Sequence, residues 1–295
     1  MNGEARDLPL WRSLLFVPAN VERFVARAHT RGADAIILDL EDSVTLAEKD
    51  AARAALPNAA ARVASHGVDV LARINRPWRL AIRDLEAVVD EHVHTIVVPK
   101  VEDAGHIRLV AEVMEELEAE RGLPRGRIGL LAFVESPGAL AQVDGIAAAS
   151  DRLVGLFLGA DDFSVETGMQ PDKAGLLGPS QQIVFAARRA GILPLGFVGS
   201  IADYSDLDAY RATIREARAL GFAGGLAIHP SQVPIMNEEF MPSQEEVAHA
   251  RGVVEAYEAA CAAGRGATEY QGKMIDAPVV ARARETLRLH QTFSK

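Results

Sequence analysis

A short apolar run followed by a longer segment with helical spacing recurs eight times between Ser13 and Pro230. Each run is too short for a buried helix and is rich in leucine or β-branched residues, which is typical of a strand in a parallel sheet. The eight candidate strands are SLLFVP from Ser13, DAIILDL from Asp34, DVLARIN from Asp69, HTIVVPK from His94, IGLLAFVE from Ile128, LVGLFLG from Leu153, ILPLGFVG from Ile192 and GGLAIHP from Gly224.

Repeated strand–helix units predict an α/β fold in which the helices surround a parallel sheet. Eight such units match a closed (β/α)8 TIM barrel better than an open, doubly wound sheet. An open sheet is expected to have a glycine-rich phosphate turn after its first strand, whereas the turn here reads PANVERF from Pro18. We therefore predict a (β/α)8 barrel as the catalytic domain, over residues 1–240.

The residues after the barrel, 241–295, predict a C-terminal helical extension. Ser243 and Glu246 form a capping-box pattern at the start of an amphipathic helix that continues to about residue 263. A turn-rich stretch with three glycines follows, and a last helix is predicted from about Asp276. Three roles are open for this extension: a lid over the barrel mouth, packing on a neighbouring subunit, or a solvent-exposed surface hairpin.

Composition narrows the class of protein. The formal net charge of -10 argues against a broad nucleic-acid surface. Cys261 is the single cysteine, which excludes an intramolecular disulfide and a cysteine-based metal site. Because no apolar run has the length of a membrane span and the N-terminal residues lack a signal-peptide core, we expect a soluble cytoplasmic protein without a membrane or nucleic-acid partner.

Charged and polar side chains gather at the ends of the predicted strands, where a barrel enzyme carries its catalytic groups. Burying so many charges in one barrel mouth is costly unless a cation or an ionic ligand compensates them. The pattern therefore predicts a metal site together with an anionic substrate. The strand ends supply Asp39, Glu41, Asp42, Arg73, Asn75, Lys100, Glu135, Asp161, Asp162 and His229.

Carboxylates follow two neighbouring predicted strands. Glu135 ends the fifth strand, and Asp161 and Asp162 follow the sixth. Parallel neighbours end at the same edge of a sheet, so Glu135 and one of the two aspartates converge. Two carboxylates, with water and substrate as further ligands, commonly hold magnesium. The alternative is that these acids only favour the start of the helices that follow.

The sequence gives less support to two other kinds of chemistry. Ser136 and Ser231 have no neighbouring histidine–acid pattern, so a serine nucleophile is disfavoured. Lys100, at a strand end, is a candidate Schiff-base lysine of the kind found in some barrel aldolases. The acidic surroundings favour its protonated, ion-paired form instead.

Seven segments occur in the order seen in citrate lyase beta subunit-like proteins, and they cover nearly the whole chain. They are RSLLFVPAN from Arg12, GADAIILDLEDSV from Gly32, ARIN from Ala72, VVPKVE from Val97, Glu135 with GADDF, LGFAGGLAIHPSQV from Leu220 and GKMIDAPVVARA from Gly272. The chain thus resembles the HpcH/HpaI aldolase superfamily, in its CoA-ester lyase branch with malyl-CoA and citramalyl-CoA lyases. The resemblance implies a magnesium-dependent barrel that forms a homotrimer or a dimer of trimers, whose C-terminal segment closes on a neighbouring active site.

The resemblance also implies roles for individual residues. Glu135 and Asp162 resemble the magnesium ligands, with Glu135 also at the substrate. Arg73 resembles the arginine that holds the carboxylate of the 2-oxo acid. Glu41 and Asp42 correspond to residues that position metal-bound water and substrate, and Asp276 resembles the lid aspartate of proton transfer.

The implied reaction is cleavage or formation of a 3-hydroxyacyl-CoA, such as citramalyl-, malyl- or citryl-CoA, with acetyl-CoA and a 2-oxo acid as the other partners. Two alternatives use the same scaffold: a malyl-CoA thioesterase and a CoA-independent 2-oxo acid aldolase. A third is a citrate lyase subunit that works only with an acyl-carrier partner.

Overall fold

The structure, a computed structural model, describes residues 8–202 and 205–293. In this part of the chain the strands are β1 Ser13–Pro18, β2 Ala35–Asp39, β3 Asp69–Arg73, β4 Thr95–Val98, β5 Gly129–Val134, β6 Leu153–Leu158, β7 Leu193–Leu195, β8 Gly225–Ala227, β9 Thr268–Tyr270 and β10 Lys273–Ile275. The α-helices are α1 Glu22–Val25, α2 Lys49–Ala64, α3 Trp78–Val88, α4 Ala104–Glu120, α5 Pro137–Leu140, α6 Val143–Ala147, α7 Ala160–Thr167, α8 Lys173–Ala190, α9 Leu207–Leu220, α10 Gln232–Glu239, α11 Gln244–Ala262 and α12 Ala277–Phe293.

The first eight strands form one sheet in which neighbours along the chain pair in parallel, in the order β7-β6-β5-β4-β3-β2-β1-β8. The two ends of this sheet meet at a parallel bridge between Leu195 and Gly224. There, the amide of Gly196 donates to the carbonyl of Gly224 over 2.8 Å. This closure confirms the predicted (β/α)8 barrel, with all eight strands at their predicted places.

Apolar side chains from the strands fill the barrel interior, as is usual for this fold. Leu71 and Leu131 are fully buried, and burying one such side chain contributes about 1.5–3 kcal/mol. The filled interior leaves room for a ligand only at the rim. The interior cluster includes Leu14, Ala35, Ile37, Leu71, Val97, Leu131, Phe133, Phe157, Leu195 and Leu226.

A glycine allows β8 to close against the start of β1. A Cβ atom at Gly224 would lie 1.9 Å from the carbonyl oxygen of Trp11, which no side chain tolerates. Trp11 is itself held by a 2.7 Å hydrogen bond from its indole nitrogen to Asp69, at the start of β3. The backbone approach at Gly224 therefore depends on the missing side chain.

The chain divides into two compact units, Met1–Glu238 and Glu239–Lys295. In the second unit, α11 begins with the expected capping box, in which Ser243 and Glu246 bond each other's backbone amides. The strands β9 and β10 pair antiparallel around Gln271 and Gly272, whose φ angles are 51° and 76°. Two consecutive positive φ angles are typical of the tight turns that join hairpin strands.

The second unit has its own apolar cluster, formed where α11 and α12 pack together. Val253 from α11 and Val280 from α12 are both buried in it, and Ile275 joins them from β10. No helix in the described residues has the length and apolar composition needed to cross a membrane.

Candidate active site

A cavity of about 860 Å³ opens at the carboxyl ends of the barrel strands. Its wall contains charged residues that the sequence placed at strand ends. Because these residues follow different strands of one barrel, the fold brings them together although they are distant in sequence. They are Asp39, Asp42, Arg73, Glu135, Asp161, Asp162 and His229.

Arg73, at the end of β3, is bound to the end of β2. Its Nε donates to Asp39 Oδ1 over 2.7 Å and its Nη2 to Asp39 Oδ2 over 2.8 Å, which is a two-point contact in a buried setting. The guanidinium carbon also lies 4.7 Å from the centre of the Phe16 ring. Burial raises the pKa of Asp39, but the hydrogen bonds and charge of Arg73 outweigh it and hold that pKa below its usual value.

Glu41 lies beside this pair with one carboxylate oxygen that accepts no hydrogen bond. Its Oε1 accepts a 2.8 Å hydrogen bond from Lys100 Nζ. Its Oε2 is 3.0 Å from Arg73 Nη1, but it is buried and has no hydrogen-bond partner. Burial raises the pKa of Glu41 in spite of the nearby cations. The Oε2 atom is therefore in an ion pair with Arg73 whose geometry does not make a hydrogen bond.

Glu135 follows β5 and is 5% exposed. The amide of Lys100 donates to its Oε2, and Lys100 adopts a φ of 48°, which is uncommon for a residue other than glycine. Burial, followed by the negative charge of Glu41, raises the pKa of Glu135 to about 7. Burial and the neighbouring acids thus outweigh the amide and the charge of Lys100, which lower this pKa.

Gly159, at the end of β6, makes room for Glu135. A Cβ atom at position 159 would lie 2.4 Å from Glu135 Cγ and 2.5 Å from Oε1. The φ of Gly159 is -75°, so the glycine is required by the close approach and not by its backbone conformation.

The two aspartates of α7 have different surroundings. Asp161 is exposed, and its Oδ1 accepts a 2.7 Å hydrogen bond from the Ser200 hydroxyl. Asp162 is partly buried, and its negative charge acts on the pKa of both Glu135 and Lys100. Of the two, Asp162 is therefore the aspartate that is electrostatically linked to Glu135.

The donor set fits a magnesium ion. Among the residues that the structure describes, no three or more His, Cys, Asp or Glu side chains form a metal-holding group. Two carboxylates, Glu135 and Asp162, are nonetheless enough for magnesium, which usually retains several waters. The raised pKa of Glu135 indicates that its negative charge, beside Glu41 and Asp162, is not fully compensated by the neighbouring cations.

Lys100 is held as an ion pair. Its Nζ lies 2.8 Å from Glu41 Oε1 and 3.8 Å from Asp42 Oδ1. Burial lowers its pKa, but the hydrogen bond and charge of Glu41 outweigh burial and raise the pKa above its usual value. An imine-forming lysine must lose its proton, so this geometry disfavours the Schiff-base alternative.

Asp276, the predicted lid residue, lies in the second unit directly before α12. Its Oδ1 accepts a hydrogen bond from the amide of Val279 over 3.3 Å. The side chain therefore caps the last helix. Its predicted role in proton transfer stays a prediction.

Two buried residues behind the cavity wall are not predicted from the sequence. Lys49 and Asp84 are buried and bond the backbone around Glu41 and Asn75. Signals for both were present. Lys49 lies in the first turn of a helix, where a positive charge opposes the helix dipole. Asp84 interrupts the apolar stripe of α3 between Ala81 and Val88.

Comparison with known proteins identifies the family. A sequence profile described as HpcH/HpaI aldolase/citrate lyase matches residues 12–230. The chain belongs to this family. The resemblance drawn from the sequence motifs is thereby confirmed.

Curated members of the family match over almost their full length. The citrate lyase subunit beta of Escherichia coli (strain K12) is 37% identical over 284 residues, which are 94% of this chain and 92% of the relative. An L-malyl-CoA/beta-methylmalyl-CoA lyase of Cereibacter sphaeroides is 33% identical and covers 96% of this chain and 95% of its own.

A solved structure of the family has the same fold. CitE from Mycobacterium tuberculosis, in complex with magnesium, acetoacetate and coenzyme A, superposes with a TM-score of 0.76 at 32% identity. The match covers 95% of this chain and 97% of that one.

Proposed function

We propose that this protein is a magnesium-dependent carbon–carbon lyase that cleaves or forms a 3-hydroxyacyl-CoA such as citramalyl-, malyl- or citryl-CoA. The other reactants are acetyl-CoA and a 2-oxo acid. The observation that carries the proposal is the cavity at the strand ends, where Glu135, Asp162 and Arg73 meet. The family, whose members include a malyl-CoA lyase and a CitE crystallised with magnesium and coenzyme A, supports it.

Glu135 and Asp162 would hold the magnesium ion. When bound, magnesium polarises hydroxyl and carboxylate oxygens and stabilises negative charge on the reacting oxygen. The raised pKa of Glu135 comes first from burial and then from the negative charge of Glu41. A cation would remove much of that electrostatic cost and keep the carboxylate ionised.

Arg73 would bind the carboxylate of the 2-oxo acid. A guanidinium has five N–H donors, and Asp39 occupies two of them. Its contact with Asp42 is long, at 3.3 Å, and the Asp42 side chain is 58% exposed, so this partner is easily displaced. Asp39 therefore fixes the plane of the guanidinium while donors on the Nη atoms remain for a substrate.

Three acids complete the proposed machinery. Glu41, whose Oε2 accepts no hydrogen bond, and Asp42 would position a water molecule and the substrate. Cleavage produces a carbanion equivalent at the acetyl-CoA carbon, which must receive a proton. We assign that transfer to Asp276, on the resemblance of its GKMIDAP segment to the lid of the family.

The test is an assay of the purified protein with magnesium against malyl-, citramalyl- and citryl-CoA, following free thiol and 2-oxo acid separately. A lyase releases 2-oxo acid without free thiol. A thioesterase releases thiol without 2-oxo acid, so that result would overturn the lyase assignment. A CoA-independent aldolase would instead cleave a 4-hydroxy-2-oxo acid, whose oxo group stabilises the enolate, and such an acid serves as the second kind of substrate in the assay.

A partner-dependent subunit is the second candidate, because several curated relatives are named as the beta subunit of citrate lyase. In that case the free CoA esters are inert, and cleavage appears only with an acyl-carrier protein. We also propose a homotrimer or a dimer of trimers in the cytoplasm. Sedimentation with and without magnesium tests the oligomer.

A further inference from the structure

Two lysines, Lys100 and Lys49, donate hydrogen bonds to Glu41. Lys100 bonds its side chain, as described above, while Lys49 bonds its backbone. Lys49 is the first residue of α2, and its Nζ donates to the carbonyl oxygens of Leu40, over 2.7 Å, and Glu41, over 2.6 Å. Lys49 is 9% exposed, so its ammonium group is largely removed from water.

Removing the charged ammonium group of Lys49 from water costs free energy, which must be offset by the contacts that it makes. Burial lowers the pKa of Lys49, and its hydrogen-bond acceptors are neutral carbonyls instead of a carboxylate. The charges of Asp39, Glu41 and Asp84 only partly offset this effect. An apolar side chain of similar length would avoid the desolvation cost, so the ammonium is explained by the two carbonyls that it fixes.

A second donor fixes the same peptide. The side-chain nitrogen of Asn75 donates to the carbonyl of Leu40 over 2.9 Å. Asp84, which is fully buried, accepts from both the backbone and the side-chain nitrogen of Asn75, over 2.8 and 2.6 Å. Arg53 in turn donates to Asp84 over 2.8 Å. Helix α2 thus contacts the carbonyl of Leu40 directly, through Lys49, and helix α3 supports the second donor, Asn75, through Asp84.

Asp39, the residue that orients Arg73, also bonds the backbone of the loop that follows β2. Asp39 accepts from the amides of Glu41 and Ser43, over 2.9 and 3.0 Å, in addition to its two bonds with Arg73. A shift of the Leu40–Glu41 backbone would therefore change the position of Glu41 and loosen the acceptor of Arg73 together. Lys49 acts on both from behind the cavity wall, since it is not among the residues that line the cavity.

We propose that Lys49 is a positioning residue of the active site: its ammonium group fixes the Leu40–Glu41 backbone and thereby sets Glu41 and Arg73 for the substrate. It contacts no substrate itself. The expected effect on catalysis rests on the proposed lyase function. The expected effect on the flexibility of the Leu40–Glu41 backbone rests on the loop geometry alone.

The experiment compares Lys49→Met with wild type by two measurements. Met keeps most of the side-chain length but removes the charge and the donors. Loss of a residue that orients a primary ligand typically costs about 10- to 100-fold in activity, and we expect that loss in kcat. In the condensation direction the KM for acetyl-CoA should change less than about threefold, because acetyl-CoA carries no carboxylate for Arg73 to bind. In hydrogen–deuterium exchange, the amides of residues 40–44 should exchange faster in the variant.

Lys173→Met is the matched control, because Lys173 forms an exposed ion pair with Glu216. It should leave both readouts unchanged. If Lys49→Met is isolated unfolded, Lys49→Gln takes its place, because it also removes the ammonium group while keeping a polar side chain. Wild-type exchange at residues 40–44 with normal kcat in the folded variant would overturn the proposal.

Hydrogen–deuterium exchange measured without substrate tests the role of Lys49 separately from the proposed lyase function. A wild-type protein that is inactive on every CoA ester refutes the lyase function, while faster exchange in the variant still supports the role of Lys49. An active wild type with an equally active Lys49→Met protein refutes the positioning role alone.

Discussion

Asp161 and Asp162, which follow β6, have different partners. A separate substitution of each aspartate distinguishes their roles. Asp162→Asn keeps the shape of the side chain but removes a charge from an oxygen-only site. We expect magnesium affinity to fall at least about tenfold, with a parallel loss of activity. Isothermal titration with magnesium measures the affinity independently of turnover.

Asp161→Asn is the control in this experiment, because the Ser200 hydroxyl already occupies Asp161 Oδ1. Its magnesium affinity should stay within about twofold of wild type. If Asp161→Asn lost magnesium and Asp162→Asn retained it, the ligand assignment would move to Asp161.

A second residue-scale prediction concerns His106, which is 8% exposed and whose Nδ1 has no hydrogen-bond partner. Burial, followed by the charge of Arg76, lowers the pKa of His106 from 6.5 to about 4, although Glu102 and Asp103 oppose the shift. The unfolded chain therefore binds a proton between pH 6.5 and 4 that the folded chain does not. The free energy of unfolding must fall as the pH falls through this window.

The full loss is on the order of 3 kcal/mol, at about 1.4 kcal/mol per pKa unit. Denaturant unfolding of His106→Leu at pH 7 and pH 4.5 measures it, and the variant should lose less stability than wild type over that interval. His92→Leu, at a side chain that is 40% exposed, is the control. Equal acid losses in wild type and His106→Leu would show that this histidine contributes nothing to the pH dependence.

The sequence predicts the residues that end strands, and it misses those that act through the backbone from a helix. Glu135 and Arg73 follow apolar runs, so their convergence could be inferred from the barrel alone. Lys49 and Asp84 are charged residues within helices, and such residues are usually solvent-exposed. Their burial depends on contacts between α2, α3 and the loop after β2, which no local pattern contains.

At the scale of elements, all eight barrel strands were predictable, but their lengths were not. β7 consists of Leu193–Leu195 only, and the next residue, Gly196, has a φ of 133°, which lies outside the strand region. For the β9–β10 hairpin, the sequence predicts only a turn-rich stretch and no strands. Its strands have three residues each, which is too short for an alternating pattern to be recognised.

The junction of β6 and α7 gives a prediction at this scale. Gly159→Ala adds a methyl group that the backbone at φ -75° accepts but that overlaps Glu135. Glu135 must move, and misplacing a reacting group by about 1 Å can cost on the order of 100-fold in rate. We expect kcat/KM to fall about 10- to 100-fold while the protein stays folded, as measured by steady-state kinetics and circular dichroism.

Gly145→Ala is the matched substitution, since a Cβ atom at Gly145 of α6 meets nothing within 4 Å. Its activity should equal that of wild type. Full activity in Gly159→Ala would mean that Glu135 can move without loss, and would count against its role as a fixed ligand.

At the scale of the whole molecule, the proposed metal ligand and the proposed lid residue lie in different compact units. Glu135 lies in the unit Met1–Glu238 and Asp276 in the unit Glu239–Lys295. The family resemblance predicts that Asp276 serves the barrel of a neighbouring subunit. A mixture of two inactive variants distinguishes this arrangement from one in which Asp276 serves its own barrel.

Asp276→Asn retains Glu135, and Glu135→Gln retains Asp276, so each protein alone should be nearly inactive. If the subunits exchange and the aspartate is supplied by a neighbour, random mixing places both wild-type groups in about a quarter of the sites. The mixture should then recover about that fraction of wild-type turnover, with mixed oligomers verified by native mass spectrometry. Mixing Asp276→Asn with the double variant should restore nothing, because no subunit then carries Asp276. A verified mixed oligomer of the two single variants that remains inactive would assign Asp276 to its own chain, because every site would still lack one of the two groups.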